Sequence, residues 1–190
     1  EKTLIREVAA AFHAQNKKVI VTLNIGGVVD VSQWRDQVDA ILLAWQPGLE
    51  GGNAIADIIS GKVNPSGKLA TTFPTAYQDE ITAKNFPGKE FKDRPVSGLF
   101  GQKVYEAEVV YEEGIYVGYR YYNTFNVKPA YEFGYGLSYT DFNYGNLKTS
   151  AAVMTDNLQV SLTVTNRGSV AGKEVVQLYL SAPNRKLDKP

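Results

Sequence analysis

The sequence predicts an α/β fold, a layered α/β sandwich with a mainly parallel sheet, followed by an incomplete antiparallel β-sandwich. Two observations carry this. Through residue 73, amphipathic helical segments alternate with short, continuously apolar, β-branched runs, the pattern of strands joined by helical crossovers. Near the far end, Leu158, Val160, Leu162 and Val164 alternate with Gln159, Ser161, Thr163 and Thr165, the period of two that marks a strand with one buried face.

The first element is a helix. Leu4, Ile5, Val8, Ala9 and Phe12 recur at helical spacing, and Lys17 and Lys18 follow where cations suit a helix C-terminus. The run 19–23 reads as a strand buried on both faces, ending at Asn24, Ile25, Gly26 and Gly27. A second unit repeats the theme, with a short helix over 32–37 and an apolar strand over 40–45. Pro47-Gly48 then turns the chain. Residues 52–59 place Ala54, Ile55, Ile58 and Ile59 on one helical face, and Gly61 suits the left-handed position just past a helix end. The turn Asn64-Pro65-Ser66-Gly67 precedes a third strand candidate over 68–73.

Periodicity is lost over 74–104, where Pro74, Pro87 and Pro95 lie among charged and aromatic residues. A stretch of about thirty residues without regular structure is uncommon inside a domain, so it reads as a long surface excursion near a binding cleft. Aromatics and glycines then crowd 109–123 and 131–139, as in chains that make close backbone contacts. After Gly145 the sandwich pattern starts, with a second strand over 175–180 and turn chemistry at Asn166, Arg167, Gly168 and Ser169. A complete seven-stranded sandwich takes about 100 residues, and about 45 remain. The expected division is therefore 1–145 for the α/β unit, including the irregular excursion 74–104, and 146–190 for the start of the β-sandwich.

Composition narrows the function classes. Twenty basic residues balance twenty acidic ones among 190, and no long run of like charge offers a nucleic acid or a membrane surface a partner. No apolar run approaches the roughly 20 residues of a membrane span. Cysteine is absent and His13 is the only histidine, which excludes thiolate metal sites and starves a zinc site of ligands. A Ser-His-Asp arrangement would hang on His13 at the polar end of a helix. The Gly26-Gly27 turn lacks the spacing of a phosphate-binding loop, which argues against a nucleotide-binding α/β protein. No cofactor and no metal are expected.

Two stretches carry a family resemblance. Residues 44–69, AWQPGLEGGNAIADIISGKVNPSGKL, resemble the signature of the second domain of family-three glycoside hydrolases of the β-glucosidase type. Residues 112–122, EEGIYVGYRYY, and 133–140, FGYGLSYT, resemble the segment that closes that domain. The tail from 158 to 183 is similar to the opening of the fibronectin-type-III-like domain that follows in many members.

The resemblance implies an exo-acting, retaining hydrolase that removes terminal β-linked glucose, or xylose, from oligosaccharides. It implies an N-terminal (β/α)₈ barrel as partner domain and source of an Asp nucleophile. The acid/base Glu would stand upstream of Glu1. No catalytic residue is therefore carried over, and the chain alone is expected to be inactive. A periplasmic or extracellular setting is implied too, and so is self-association through surfaces the barrel would cover. The rival reading is a non-catalytic carbohydrate-binding or scaffolding module, which would bind oligosaccharide without a barrel.

Trp45 and Glu50 are the candidate substrate-binding residues. Both lie in the loop after a strand's C-terminal end, the edge where open α/β sheets bind ligands. Trp45 can offer its ring to a sugar or pack in the core. Glu50 can face the cleft or cap the helix it opens. Glu112 and Glu113 are adjacent and point to opposite sides of extended chain, so they read as a solvent-facing carboxylate and an ion pair, with Arg120 as the expected partner.

Overall fold

The structure, a computed structural model, describes residues 1–154, 156–181 and 188–190. Helix α1 spans Lys2–His13. Its apolar stripe is only partly used: Ala9 is buried and Ile5 packs toward the core, while Leu4 and Phe12 stay exposed. Strands β1, Ile20–Leu23, and β2, Ala40–Leu43, run parallel, with Ile20 opposite Ala40 and Leu23 opposite Leu43. Between them the expected short helix is a 3₁₀ turn over Arg35–Gln37. Helix α2, Gly51–Ile59, ends as expected, Gly61 taking a φ of +77° just beyond it.

Alternation along the two parallel strands decides what they bury. Val21, Leu23, Ile41 and Leu43 pack against a core of Val31, Trp34, Phe73 and Ala130, while Ile20 is left exposed. The expected burial of β1 on both faces is thus corrected to burial on one.

Asp39 ties α1 to this pair. Its carboxylate accepts hydrogen bonds from Lys18 Nζ at 2.7 Å, the Val19 amide at 2.8 Å and His13 Nε2 at 2.8 Å. Lys18, Val19 and His13 together hold the Asp39 carboxyl far below the usual carboxylate range. His13 is thereby engaged as a structural partner.

Three expectations change in the next part of the chain. Residues 68–73 do not extend the parallel sheet. The Leu69 amide donates to the Tyr135 carbonyl at 2.8 Å, and Phe73 exchanges bonds with Tyr131 and Ala130, so this segment is stitched to the returning chain instead. Gly136 makes that approach possible, because a Cβ there would collide with the Gly67 carbonyl.

The excursion expected to be irregular over 74–104 contains a hairpin. Strand β3, Lys89–Ser97, pairs antiparallel with β4, Lys103–Glu108, across an irregularity between Phe91 and Pro95. Its ladder is made of backbone bonds, and its charged side chains face solvent, so the hydrophobic pattern gives no sign of it. Lys89 and Arg94 lie over the Phe91 ring. The tip carries Leu99 and Phe100, the latter 99% exposed with a φ of +62°.

The last correction concerns the β unit. Helix α3, Tyr119–Thr124, is followed by β5, Phe142–Thr149, which pairs antiparallel with β6, Val160–Asn166. The boundary expected at 145/146 falls inside β5. The strand expected over 175–180 forms no ladder among the described residues, and Leu178 and Leu180 remain exposed. Part of the tail that carried the resemblance, residues 182 and 183, lies outside the described residues.

The two units are joined through the Asn64–Gly67 turn and Lys68. Asn64 Oδ1 accepts from Ser138 Oγ at 3.0 Å and from the Tyr139 amide at 2.8 Å, and its Nδ2 donates to the Ala171 carbonyl at 3.1 Å. Beside it, Lys68 and Glu174 form an ion pair at 3.2 Å, their side chains only 15% and 12% exposed.

Two outcomes follow from this packing. Phe73 is 2% exposed, so Phe73→Ala should lower stability by about 3–5 kcal/mol in urea denaturation. Asp39 titrates lower in the folded chain than in the unfolded one, so its contribution is complete above about pH 4, the ordinary Asp value, and is lost as pH falls below it. Melting temperature should therefore drop in acid, and Asp39→Asn should flatten that part of the profile while lowering stability at neutral pH.

Candidate functional site

Parallel strands bring their C-terminal ends side by side, and here that edge carries two loops. The chain leaving β1 passes through Asn24 to Gly27, and the chain leaving β2 passes through Ala44 to Glu50 before entering α2. The ladder continues briefly into both, with the Ala44 amide donating to the Leu23 carbonyl at 2.9 Å and the Ile25 amide to the Trp45 carbonyl at 3.1 Å. Gly26 and Gln46 bring the two loops together, the position of a Cβ on Gly26 lying 3.0 Å from the Gln46 side-chain nitrogen.

Trp45 breaks a local rule. Its φ of +52° lies in the left-handed region, which is costly for a tryptophan. The ladder bonds on either side hold the backbone, and the ring packs against Phe73 with centroids 6.3 Å apart. Of the two roles open to Trp45, core packing is the one its contacts display. Its ring remains partly exposed at the loop's base.

Glu50 occupies the N-cap position of α2, but its side chain does not cap. Its backbone carbonyl accepts from the Ala54 amide at 3.0 Å, while Oε2 accepts from Asn53 Nδ2 at 2.6 Å. The carboxylate is thus exposed and oriented by a neighbouring amide. Between Trp45 and Glu50 the loop projects Leu49, which is 100% exposed. Gly48, with a φ of +72°, sets this turn. Trp45 and Glu50 therefore stand on one loop at the edge where the sequence placed them. Gln46, which touches Gly26, was not singled out, and no local signal marks it.

The remaining candidates separate. Glu112 pairs with Lys84 at 2.7 Å, and Lys84 followed by Asn85 holds its carboxyl below the usual range. The expected pairing with Arg120 is thus corrected: that guanidinium lies over the Tyr119 ring at 5.0 Å. Glu113 is not a plain solvent-facing carboxylate, because its Oε2 is buried without a hydrogen-bond partner. Sequence reasoning also missed the bond from the buried Tyr122 hydroxyl to Glu80 at 2.7 Å. Burial, followed by Glu80, pushes the Tyr122 hydroxyl well above the usual tyrosine range. Among the described residues, no group of three or more His, Asp or Glu side chains could hold a metal ion.

Known proteins resemble this chain in sequence and in fold. The glycosyl hydrolase family 3 C-terminal domain matches residues 1–119. β-Glucosidase A of Butyrivibrio fibrisolvens is 42% identical over 100% of this chain and 23% of its own length. An exo-α-(1→6)-L-arabinopyranosidase of Bifidobacterium breve is 38% identical over 99% of the chain and 22% of its own. In three dimensions the chain is similar to β-glucosidase 3B from Thermotoga neapolitana in complex with glucose, with 52% identity, a TM-score of 0.74 and coverage of 88% of this chain and 21% of that one. The chain therefore spans about a fifth of the length of the relatives it matches.

The backbone at Trp45 generates a test by substitution. Trp45→Ala and Trp45→Gly both lose the ring's packing, but only glycine accepts the left-handed conformation without strain. That penalty, about 1–2 kcal/mol, exceeds the roughly 0.4–1 kcal/mol that glycine adds to unfolded-state entropy. Trp45→Gly should therefore be the more stable of the two by about 0.5 kcal/mol in urea denaturation. The reverse order would show that the ladder bonds do not hold a strained residue.

Proposed function

Because the chain belongs to glycosyl hydrolase family 3, matching its C-terminal domain, we propose that it forms one wall of the sugar-binding cleft of an exo-acting, retaining β-glucosidase. The reaction would release a terminal β-linked glucose, or xylose, from an oligosaccharide or glycoside. Such hydrolysis uses two carboxyl groups about 5 to 5.5 Å apart, one attacking the anomeric carbon and the other protonating the leaving oxygen and then activating water. In this reading both come from parts of the protein outside these 190 residues, the nucleophile from a barrel domain.

The observation that carries the reading is the loop 44–50 at the C-terminal end of β2, with a ring at its base and an exposed carboxylate oriented by Asn53. A carboxylate so placed accepts hydrogen bonds from sugar hydroxyls, and a partly exposed indole offers an apolar face to a pyranose. The role assigned to Trp45 and Glu50 is therefore substrate positioning. Support comes from relatives named β-glucosidases and from a similar structure with bound glucose. One relative is named an exo-α-(1→6)-L-arabinopyranosidase, so the sugar acted on differs among proteins that share this domain.

The finer architecture belongs to the same proposal: a layered α/β sandwich that gives way, from Phe142 onward, to the start of a fibronectin-type-III-like sandwich. A periplasmic or extracellular setting rests on the resemblance alone. Leu4, Phe12 and Leu49, exposed here, suit burial against the barrel, and without it the chain should self-associate.

The test has two arms. The chain alone should release no p-nitrophenol from p-nitrophenyl β-D-glucoside above the buffer rate. Release abolished by changing an Asp or Glu within it would overturn the reading. In a longer protein that includes these residues, Glu50→Gln should raise KM by about fivefold or more with kcat within about twofold, the signature of lost uniform binding. An unchanged KM would remove Glu50 from the cleft.

A further inference from the structure

Gln46 is a polar side chain on a fixed stretch of backbone that serves no contact of its own. It is exposed on the loop that leaves β2, and among the described residues its carboxamide makes no hydrogen bond. Its neighbours leave the chain little freedom. On one side stands Trp45, whose φ of +52° is flanked by the ladder bonds from Ala44 to Leu23 and from Ile25 to Trp45. On the other stands Pro47, and a proline restricts the residue before it to extended backbone. The Pro47 ring in turn lies against Gly51 at the start of α2, where a Cβ would collide with it.

The position of the carboxamide follows from this. It lies over Gly26, its nitrogen, carbon and oxygen 3.0, 3.4 and 3.7 Å from where a Cβ would stand on that residue. Beside it the facing loop is open, since nothing comes within 4 Å of a Cβ position on Gly27. Backbone held in a costly conformation tends to gather where ligands are bound. A side chain whose backbone is already fixed also gives up less freedom when it meets one.

The chemistry of the group narrows the ligand. A carboxamide offers two N–H donors and an acceptor oxygen, whereas the ionised Glu50 carboxylate on the same loop only accepts. Sugar hydroxyls do both. Two neighbouring hydroxyls can therefore meet one carboxamide, the first donating to Oε1 and the second accepting from Nε2.

We propose that Gln46 is a substrate-positioning residue whose carboxamide spans two adjacent hydroxyls of the saccharide. The inference deepens the reading of loop 44–50 as a cleft wall and rests on it. The hydroxyls belong either to the terminal sugar or to the sugar on the leaving side, and the contact has the same chemistry in both cases.

Kinetics of the longer protein that includes these residues test it. The substrates are p-nitrophenyl β-D-glucoside, its monodeoxy derivatives and cellobiose, and Glu50→Gln is measured alongside. Gln46→Ala should raise KM for cellobiose by about fivefold with kcat within about twofold, the worth of one lost neutral hydrogen bond. A similar rise with p-nitrophenyl glucoside, absent for the derivative that lacks the contacted hydroxyl, assigns the terminal sugar. A rise confined to cellobiose assigns the leaving-side sugar. Gln46→Met, which keeps the length and removes the amide, should behave like Gln46→Ala, and both should melt within about 2 °C of the parent because the side chain is exposed. An equal loss on every substrate, monodeoxy derivatives included, would mark a structural role and overturn the proposal. So would an unchanged KM: with Glu50→Gln still raising KM, the cleft wall stands and Gln46 alone is removed from it, and with neither variant moving KM both readings fall.

Discussion

The ring of Phe73 lies between those of Trp45 and Tyr131, with centroids 6.3 Å from each, and its backbone is bonded to Ala130 and Tyr131. A parallel pair of four-residue strands buries too little to stand alone. What holds β1 and β2 in place is the core they share with Val31, Trp34 and this ring. Through Phe73 the loop that follows β2 rests on chain that returns from residues 130–135. Position of the candidate sugar loop is therefore a property of contacts made between residues far apart in sequence.

That dependence explains what could be read from the sequence and what could not. Helix α2 was legible because Ala54, Ile55 and Ile58 repeat at helical spacing and Gly61 marks the stop. The parallel pair was legible because its strands are continuous apolar runs separated by turn residues. The loop with Trp45 and Glu50 followed from those two facts and the rule that ligands gather at strand C-termini. Hairpin β3–β4 was not legible, since backbone bonds rather than an apolar face hold Lys89 against Glu108. Residues 68–73 look like a third parallel strand because Leu69 and Phe73 are apolar in both settings. Only Gly136, which admits the opposing backbone, distinguishes them.

Side-chain partners were the least legible level. Composition and spacing cannot tell that Glu112 meets Lys84 while Arg120 lies on a tyrosine, because such choices depend on loop paths. The same holds for Glu113, whose missing partner becomes visible only when its surroundings are known. Where the sequence left two roles open for Trp45, the contacts display one, and the left-handed backbone shows what keeping the ring there requires.

The junction at Asn64 and Lys68 has a consequence for how the molecule comes apart. One amide side chain satisfies groups from the returning chain and from Ala171 at once, and the neighbouring lysine has its counter-charge on Glu174. Peeling away the chain beyond β6 would break the Asn64–Ala171 hydrogen bond and part Lys68 from Glu174 in a single event. The chain beyond β6 is thus fastened to the turn that leads into the core, and force applied to the C-terminal end is felt there.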